Sequence, residues 1–340
     1  MTGSSIADYL PVVQPHLDEA LVSQACREQI KRVASQLPSE MTSLFGFECR
    51  LRAAVEPVDF CVRVRPVHEE LDVLADRRPD ARLPQAFWAE PVWRQTRDFC
   101  RAVADPACVL HNRITSVWLE FDMDEPSSVV PIPCVFFGSG HIRSTGADAA
   151  GLPQGIVREA FRLLTGSDIS GPQERALMSC VRCLPSGSNI FVLGIMAARV
   201  PPFVRVAVAG LGQGRITPYL DAVGWPGDTG EIDRLAAELS PLADRVDLNL
   251  DAGHDLGARA SLECSFVPKR SPADEPRWHA LLGYLVDSGL CTEDGRQALL
   301  RYPGLDREGV AIARDLFHVK VVYEPGRPLE AKAYLCARRV

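Results

Sequence analysis

The stretch GFECRLR at residues 46–52, followed after a short gap by FCVRVRP at residues 60–66, decides the fold. In each segment apolar residues alternate with polar ones, such as Glu48 and Arg50 in the first and Arg63 in the second. A period of two residues is typical of β-strands with one apolar and one polar face. Because the connection is too short for a parallel crossover, the two segments predict an antiparallel hairpin with a charged face.

The same hairpin pattern recurs four times along the chain, and helical spacing of apolar residues fills the intervals. The further strand pairs are predicted at 115–124 with 130–138, 189–198 with 203–210, 245–253 with 257–266, and 317–325 with 329–337. Helices are predicted at 17–37, 69–76, 85–103, 155–164, 173–183, 216–223, 231–242, 276–287 and 294–301, with a further turn near 310–314.

Five hairpins with one apolar and one charged face predict a closed sheet. Helices outside would cover the apolar face, and closure would enclose the polar face and remove the sheet edges. We therefore predict an α/β fold in which five repeated α-β-β-α units form a ten-stranded antiparallel β-barrel. Since the repeat runs through the whole chain, residues 1–340 are expected to form a single domain.

Composition narrows the functional classes. The 340 residues carry a net charge of −7 with both signs mixed along the chain, so no basic stripe is available for nucleic acid. The N-terminus lacks a signal-peptide pattern and the apolar runs are too short for a bilayer, which favours a cytoplasmic protein without a membrane partner. The 11 cysteines, including the pair in CVRC at 180–183, are interpreted as reduced thiols.

The charged face of the strands predicts the interior of the barrel. So many ionisable groups on one enclosed face must pair with one another, meet water or bind a charged ligand, and both the internal network and the ligand site remain open. The predicted inward set is Glu48, Arg50, Arg63, Arg65, Trp118, Glu120, Asp122, Arg205, Asp247, Asn249, Arg259, Ser261, Glu263, His318, Lys320, Lys332 and Tyr334.

Lysine usage adds a second signal. The chain has four lysines, and two of them, Lys320 and Lys332, lie on the strands of the last hairpin near Tyr323 and Tyr334. An ammonium beside a phenol suits a phosphate or diphosphate oxygen, and arginine forks supply further neutralisation. A C-terminal strand whose lysines reach solvent is the alternative.

With these residues in place, the sequence resembles the ABBA aromatic prenyltransferases over nearly its whole length. In that family the first hairpin carries a glutamate and then a diphosphate-binding arginine, which Glu48 and Arg63 match. Later strands carry Lys-x-Tyr, which Lys332 and Tyr334 match, and the KVVY at 320–323 is a looser match.

The resemblance implies prenyl transfer from an allylic diphosphate to an electron-rich acceptor such as an indole, a phenol or a peptide side chain. Trp118 and Tyr334 would face the allylic cation, and Glu48 or Glu120 would accept the released proton or orient the acceptor. His318 is placed on the cavity face. The groups expected to hold the leaving diphosphate are Arg63, Arg205, Arg259, Lys320 and Lys332.

No cofactor is implied by the resemblance. Asp247, Asn249, Asp251 and Glu120 offer hard oxygen donors, so a Mg²⁺ ion on the diphosphate stays an alternative, although no spacing demands a metal.

A binding protein of the same fold is the second functional reading. The strands at 205–207 and 259–261 read RVA and RAS where the family carries lysine and tyrosine, and these missing tyrosines favour it. Such a barrel would be catalytically inactive and would hold a peptide or small molecule for partner biosynthetic enzymes.

Overall fold

A computed structural model of the chain describes residues 4–52, 57–66, 69–123, 129–143, 151–197, 199, 203–212, 214–307 and 309–340. The strands are β1 Leu44–Arg50, β2 Val58–Val64, β3 Ser116–Phe121, β4 Cys134–Arg143, β5 Asn189–Ile195, β6 Val204–Ala209, β7 Arg245–Ala252, β8 Leu256–Ser265, β9 Gly304–Asp306, β10 Ile312–Tyr323 and β11 Glu330–Arg339. The helices are α1 Leu10–Val13, α2 Gln24–Ala34, α3 Glu70–Leu74, α4 Pro91–Ala104, α5 Gly151–Thr165, α6 Gly171–Arg182, α7 Ile216–Val223, α8 Thr229–Leu239, α9 Arg277–Asp287 and α10 Glu293–Arg301.

Ten of the strands close into an antiparallel barrel. Strands β1 to β8 pair in chain order, β8 pairs with β10, β10 with β11, and β11 with β1. The predicted closed ten-stranded barrel is confirmed. The short strand β9 pairs with the beginning of β10 and lies outside the ring.

Several predicted boundaries differ from those of the structure, and two of the differences have a clear local cause. The helix expected at 17–37 is shorter, because Ser23 accepts a hydrogen bond from the Cys26 backbone nitrogen and so starts α2 at Gln24. The turn expected near 310–314 is instead the start of β10, where the Arg314 guanidinium is buried and binds the Asp306 carboxylate on β9 at 2.8 Å.

Aromatic packing between α4 and the outer face of the barrel explains which face of the sheet turns inward. Trp93 on α4 stacks against Phe121 of β3 at 6.3 Å, and Phe99 packs against Phe137 of β4 at 5.4 Å. All four side chains are at most 2% exposed. Because the apolar face is buried under helices, the alternate charged face must line the barrel interior.

All 11 cysteines are free thiols, nine of them buried. In the described part of the chain, no helix has the length and apolar character needed to cross a bilayer.

Candidate active site

The interior of the barrel is best described from its two ends. We call the upper end the one where β1, β3, β5 and β7 begin, and the lower end the one where these strands finish. The alternation of antiparallel strands then places each inward residue at a defined height.

The lower end is filled by ion pairs. Arg205 of β6 makes a bidentate pair with Asp251 of β7, at 2.8 and 3.0 Å, and the two residues stand opposite each other in the register. Arg259 of β8 lies 3.9 Å from Asp251 and from Glu324. The void left among these side chains is about 10 Å³, enough for one water molecule. Two further pairs at this end are Arg50 with Asp59 and Arg199 with Asp122.

A hydrogen-bonded chain occupies the middle of the barrel. The Glu48 carboxylate accepts hydrogen bonds from the Lys332 ammonium and the Tyr334 hydroxyl, both on the neighbouring strand β11. The Lys320 ammonium donates to the Tyr334 hydroxyl at 3.0 Å and lies 3.9 Å from the Glu263 carboxylate. Burial alone would raise the pKa of Glu48, but Lys332, Lys320 and these hydrogen bonds lower it overall. Glu48 is therefore ionised, and each of its two carboxylate oxygens accepts a hydrogen bond.

Above this chain lies a cavity of about 440 Å³. Its apolar wall is aromatic and its polar wall carries both signs of charge, an arrangement suited to an amphipathic ligand. Gly46 lines the cavity, and glycine is required there because a Cβ would lie 2.5 Å from the Leu335 carbonyl oxygen of the neighbouring strand. The aromatic rings are those of Trp118, Phe136, Phe191, Phe317 and Tyr334, and the charged or ionisable groups are Arg63, Glu120, Arg205, Glu263, His318 and Lys320.

Glu120 is the carboxyl group available for chemistry in this cavity. Its contact in the described structure is the Cys61 thiol, which donates at 3.9 Å, and no cation forms an ion pair with it there. Burial, together with the negative charges of Glu48 and Asp122, raises the pKa of Glu120 to about 7. A carboxyl group with a pKa near neutrality can exchange protons at the pH of the cell.

Three buried nitrogen atoms on the cavity residues have no hydrogen-bond partner among the described residues: Arg63 Nε, His318 Nε2 and Asn249 Nδ2. Arg63 lies over the Trp118 ring, with 5.8 Å from its Cζ to the ring centroid. Burial lowers the pKa of His318 to about 4, so this imidazole is neutral and its ring packs against Tyr334 at 4.0 Å. Such unpaired polar atoms indicate that a bound ligand or water completes the wall.

The ten residues selected from the sequence all lie on the inner face, but at different heights. Seven of them line the cavity, namely Arg63, Trp118, Glu120, Arg205, His318, Lys320 and Tyr334. Glu48, Arg259 and Lys332 line the small void below it instead, and Arg259 also lines a separate cleft beside Glu324.

Tyr323 departs from the expectation that it accompanies the lysines. It points to the outer side, where its ring lies 6.1 Å from Trp225, because Lys320 and Val322 take the inward positions of that strand. Asp59 was missed, although the alternation through Cys61 and Arg63 places it inward.

The oxygen donors considered for Mg²⁺ do not fit a metal site. Asp251 is held by Arg205 and Asp247 by Arg245, so both carboxylates are already neutralised. Across the described ranges, no group of three or more His, Cys, Asp or Glu side chains is placed to hold a metal ion.

A closed barrel of helix-flanked antiparallel hairpins around a polar cavity is the ABBA barrel of aromatic prenyltransferases, as the sequence resemblance predicted. AnaPT from Neosartorya fischeri shares this fold with a TM-score of 0.58 and 13% identity, over 100% of this chain and 95% of that one. 5-Dimethylallyltryptophan synthase from Streptomyces coelicolor aligns with a TM-score of 0.51 and 16% identity, over 98% of this chain and 97% of that one.

The prenyltransferase PriB, in a ternary complex with L-tryptophan and dimethylallyl thiolodiphosphate, aligns with a TM-score of 0.51 and 14% identity. That alignment covers 97% of this chain and 95% of PriB. No protein-family model and no curated protein matches the sequence. At these identities the likeness establishes the fold.

Proposed function

We propose that residues 1–340 act as one cytoplasmic prenyltransferase domain that transfers a prenyl group from an allylic diphosphate to an electron-rich aromatic or peptide acceptor. The observation that carries the proposal is the combination, in one enclosed cavity, of aromatic walls, cationic donors and the unpaired carboxyl group of Glu120. The ligands of PriB, L-tryptophan and dimethylallyl thiolodiphosphate, support the choice of substrates to test.

In the proposed reaction, the bond between the allylic carbon and the bridging oxygen breaks, and its electron pair leaves with the diphosphate. The aromatic rings of Trp118 and Tyr334 stabilise the allylic cation through their π-faces. A ring carbon of the acceptor forms the new carbon–carbon bond, and the displaced ring proton goes to Glu120. No metal ion is required by this sequence of steps.

Glu120 is the better proton acceptor of the two glutamates. Glu48 is bound by Lys332 and Tyr334, and its lowered pKa makes it a weak base. Glu120 faces the cavity with a pKa of about 7, close to the value at which a carboxyl group is most effective in proton transfer at neutral pH. We assign Glu48 to positioning Tyr334.

The leaving diphosphate would meet Arg63, Arg205 and Lys320, since these three cations line the cavity. Arg259 and Lys332 line the void below and would not contact the diphosphate. They would affect its binding only through the carboxylates they pair with, Asp251 and Glu48. Positive groups aimed at the bridging oxygen stabilise the charge that develops there as the bond breaks.

The test is to incubate the full chain with dimethylallyl diphosphate and with L-tryptophan, L-tyrosine or an aromatic peptide, and to search for products by mass spectrometry. We expect a product heavier by one prenyl group and a loss of turnover of about 100-fold or more in Glu120→Gln, because a general base contributes on this order. Absence of product and of diphosphate release with every acceptor would refute prenyl transfer.

A ligand-binding barrel without catalysis is the second candidate, and the ion pairs favour it. Of the five cations that the resemblance assigns to diphosphate, four lie beside carboxylates: Arg205 and Arg259 beside Asp251, Lys320 beside Glu263, and Lys332 beside Glu48. Neutralised cations bind an anion less strongly. Saturable binding of an aromatic peptide without turnover of any prenyl diphosphate would select this function.

A further inference from the structure

His318 is the titratable member of a band of aromatic rings along the cavity wall. Ring centroids lie 6.3 Å apart between Trp118 and Phe317, and 5.6 Å apart between Phe317 and His318. The centroid of the His318 ring lies 4.0 Å from that of Tyr334, and all four residues line the cavity. The strand register shifts between Leu316 and His318, and this bulge lets the consecutive residues Phe317 and His318 both line it. A planar aromatic ligand has the shape that packs against such a band.

One nitrogen of the His318 imidazole has an unused hydrogen-bonding capacity. Nε2 is buried and has no partner in the part of the chain that the structure describes, and the residue as a whole is 9% exposed. The other nitrogen, Nδ1, lies 3.6 Å from the Glu263 carboxylate, which in turn lies 3.9 Å from the Lys320 ammonium. A carboxylate on that side favours the ring proton on Nδ1. Burial lowers the pKa of His318 to about 4, so the ring is neutral and Nε2 presents a lone pair.

Two polar groups that could orient a ligand near His318 are already in use. Glu48 accepts two hydrogen bonds and lines the void below the cavity. The Tyr334 hydroxyl donates one of them and accepts a hydrogen bond from Lys320 at 3.0 Å. In the proposed reaction Glu120 receives the displaced ring proton, which comes from a carbon and not from the heteroatom of the acceptor. The heteroatom therefore needs a different partner.

We propose that His318 recognises the aromatic acceptor by accepting, at Nε2, a hydrogen bond from its indole N–H or phenol O–H while the ring packs against the aromatic band. Glu263 is a positioning residue, because it holds the proton of His318 on Nδ1. The ligand class is a planar aromatic compound that carries a hydrogen-bond donor. That this ligand accepts a prenyl group rests on the proposed function, whereas the hydrogen bond does not.

The test compares ligands that differ in this donor, by isothermal titration calorimetry on the full chain. L-Tryptophan is paired with 3-benzothienyl-L-alanine, in which sulfur replaces the N–H, and L-tyrosine is paired with L-phenylalanine. We expect the member without the donor to bind about tenfold more weakly in at least one pair, because Nε2 then stays buried without a partner. Equal affinity within both pairs, or no saturable binding of any of these ligands at millimolar concentration, would overturn the inference.

Variants of the two residues assign the effect. His318→Phe keeps a ring in the aromatic band and removes the acceptor nitrogen, so the ratio of the two affinities should fall from about tenfold to about one. His318→Gln offers an amide oxygen as acceptor and should recover part of the ratio. Glu263→Gln should lower the ratio to about threefold, because a neutral amide no longer favours the proton on Nδ1. Each ratio compares two ligands on one protein, so a smaller folded fraction does not change it.

The controls separate His318 from other groups and from the proposed function. His279, exposed on α9, is the matched histidine, and His279→Phe should leave the ratio unchanged. A ratio that is lost in Glu120→Leu and kept in His318→Phe would refute the role of His318. Prenyl transfer by a protein whose ratio does not depend on His318 would overturn this inference alone. A ratio that depends on His318, without prenylated product or diphosphate release, would remove the transferase and leave the recognition site.

Discussion

Replacing Glu120 by glutamine should stabilise the protein above neutral pH, and it removes the proposed proton acceptor. The Glu120 side chain is 8% exposed and lies near the negative charges of Glu48 and Asp122. Ionising it inside the barrel is therefore unfavourable, and glutamine of nearly the same shape avoids that cost.

The magnitude follows from the pKa. An ordinary glutamate has a pKa of 4.5, and burial raises that of Glu120 to about 7. Because the folded-state pKa is raised, the stabilisation from the protonated group is fully present below pH 4.5 and is lost as the pH rises through about 7. At about 1.4 kcal/mol for each tenfold change in the ionisation constant, the loss reaches about 3 kcal/mol at pH 8.

The assay is urea unfolding of the wild type and Glu120→Gln at pH 5 and pH 8. We expect the difference in unfolding free energy between the two proteins to move by about 2.5 kcal/mol in favour of the variant between these pH values, because an unfolded glutamate is already mostly ionised at pH 5. Glu48→Gln is the matched control: it should destabilise the protein by nearly the same amount at both pH values, since the pKa of Glu48 is lowered and its stabilising charge is present throughout this range. A difference for Glu120→Gln that stays constant with pH would refute the electrostatic reasoning.

Further variants probe other parts of the barrel. Asp251→Asn should lower the free energy of unfolding by about 3 kcal/mol, measured by urea denaturation, because it leaves Arg205 partly buried without its bidentate partner. His318→Gln should gain stability relative to the wild type, in urea denaturation, as the pH falls from 6.5 to about 4, since the neutral imidazole stabilises the fold above pH 6.5 and this contribution is lost as the pH falls toward its lowered pKa. A difference in unfolding free energy between the two proteins that stays constant over this range would contradict the prediction. Trp118→Leu should weaken L-tryptophan binding by about tenfold in a calorimetric titration, because stacking and cation–π contacts are lost, and unchanged affinity would place the ligand elsewhere.

Most of the architecture was predictable because each element depends on local signals. The strands beginning at Leu44 and Val58 follow from a period of two, and the hairpin follows from the short connection between them. Element boundaries were less predictable, as at α2, where a single hydroxyl cap on Ser23 overrides helical spacing upstream.

The residues of the candidate site were partly predictable, because strand alternation is also a local signal. Alternation placed Glu120 and Arg63 on the inner face, because side chains on a strand point to opposite faces in turn. It could not show that Arg205 is neutralised by Asp251, because that ion pair depends on the register between two strands. Nor could it choose between Glu48 and Glu120, since that choice depends on which carboxylate a neighbouring strand neutralises.

The sequence by itself therefore determined the closed barrel and its charged interior, because pleating and hydrophobic burial act within a strand and its immediate neighbours. Only the tertiary structure decided which charges remain free. Two β-bulges show what strand alternation cannot predict. The pairing register shifts at Phe317 on β10 and at Phe191 on β5. At each bulge two consecutive residues line the cavity, Phe317 with His318 and Phe191 with Val192. Register and ion pairing join residues far apart in the chain, so no local pattern can encode them.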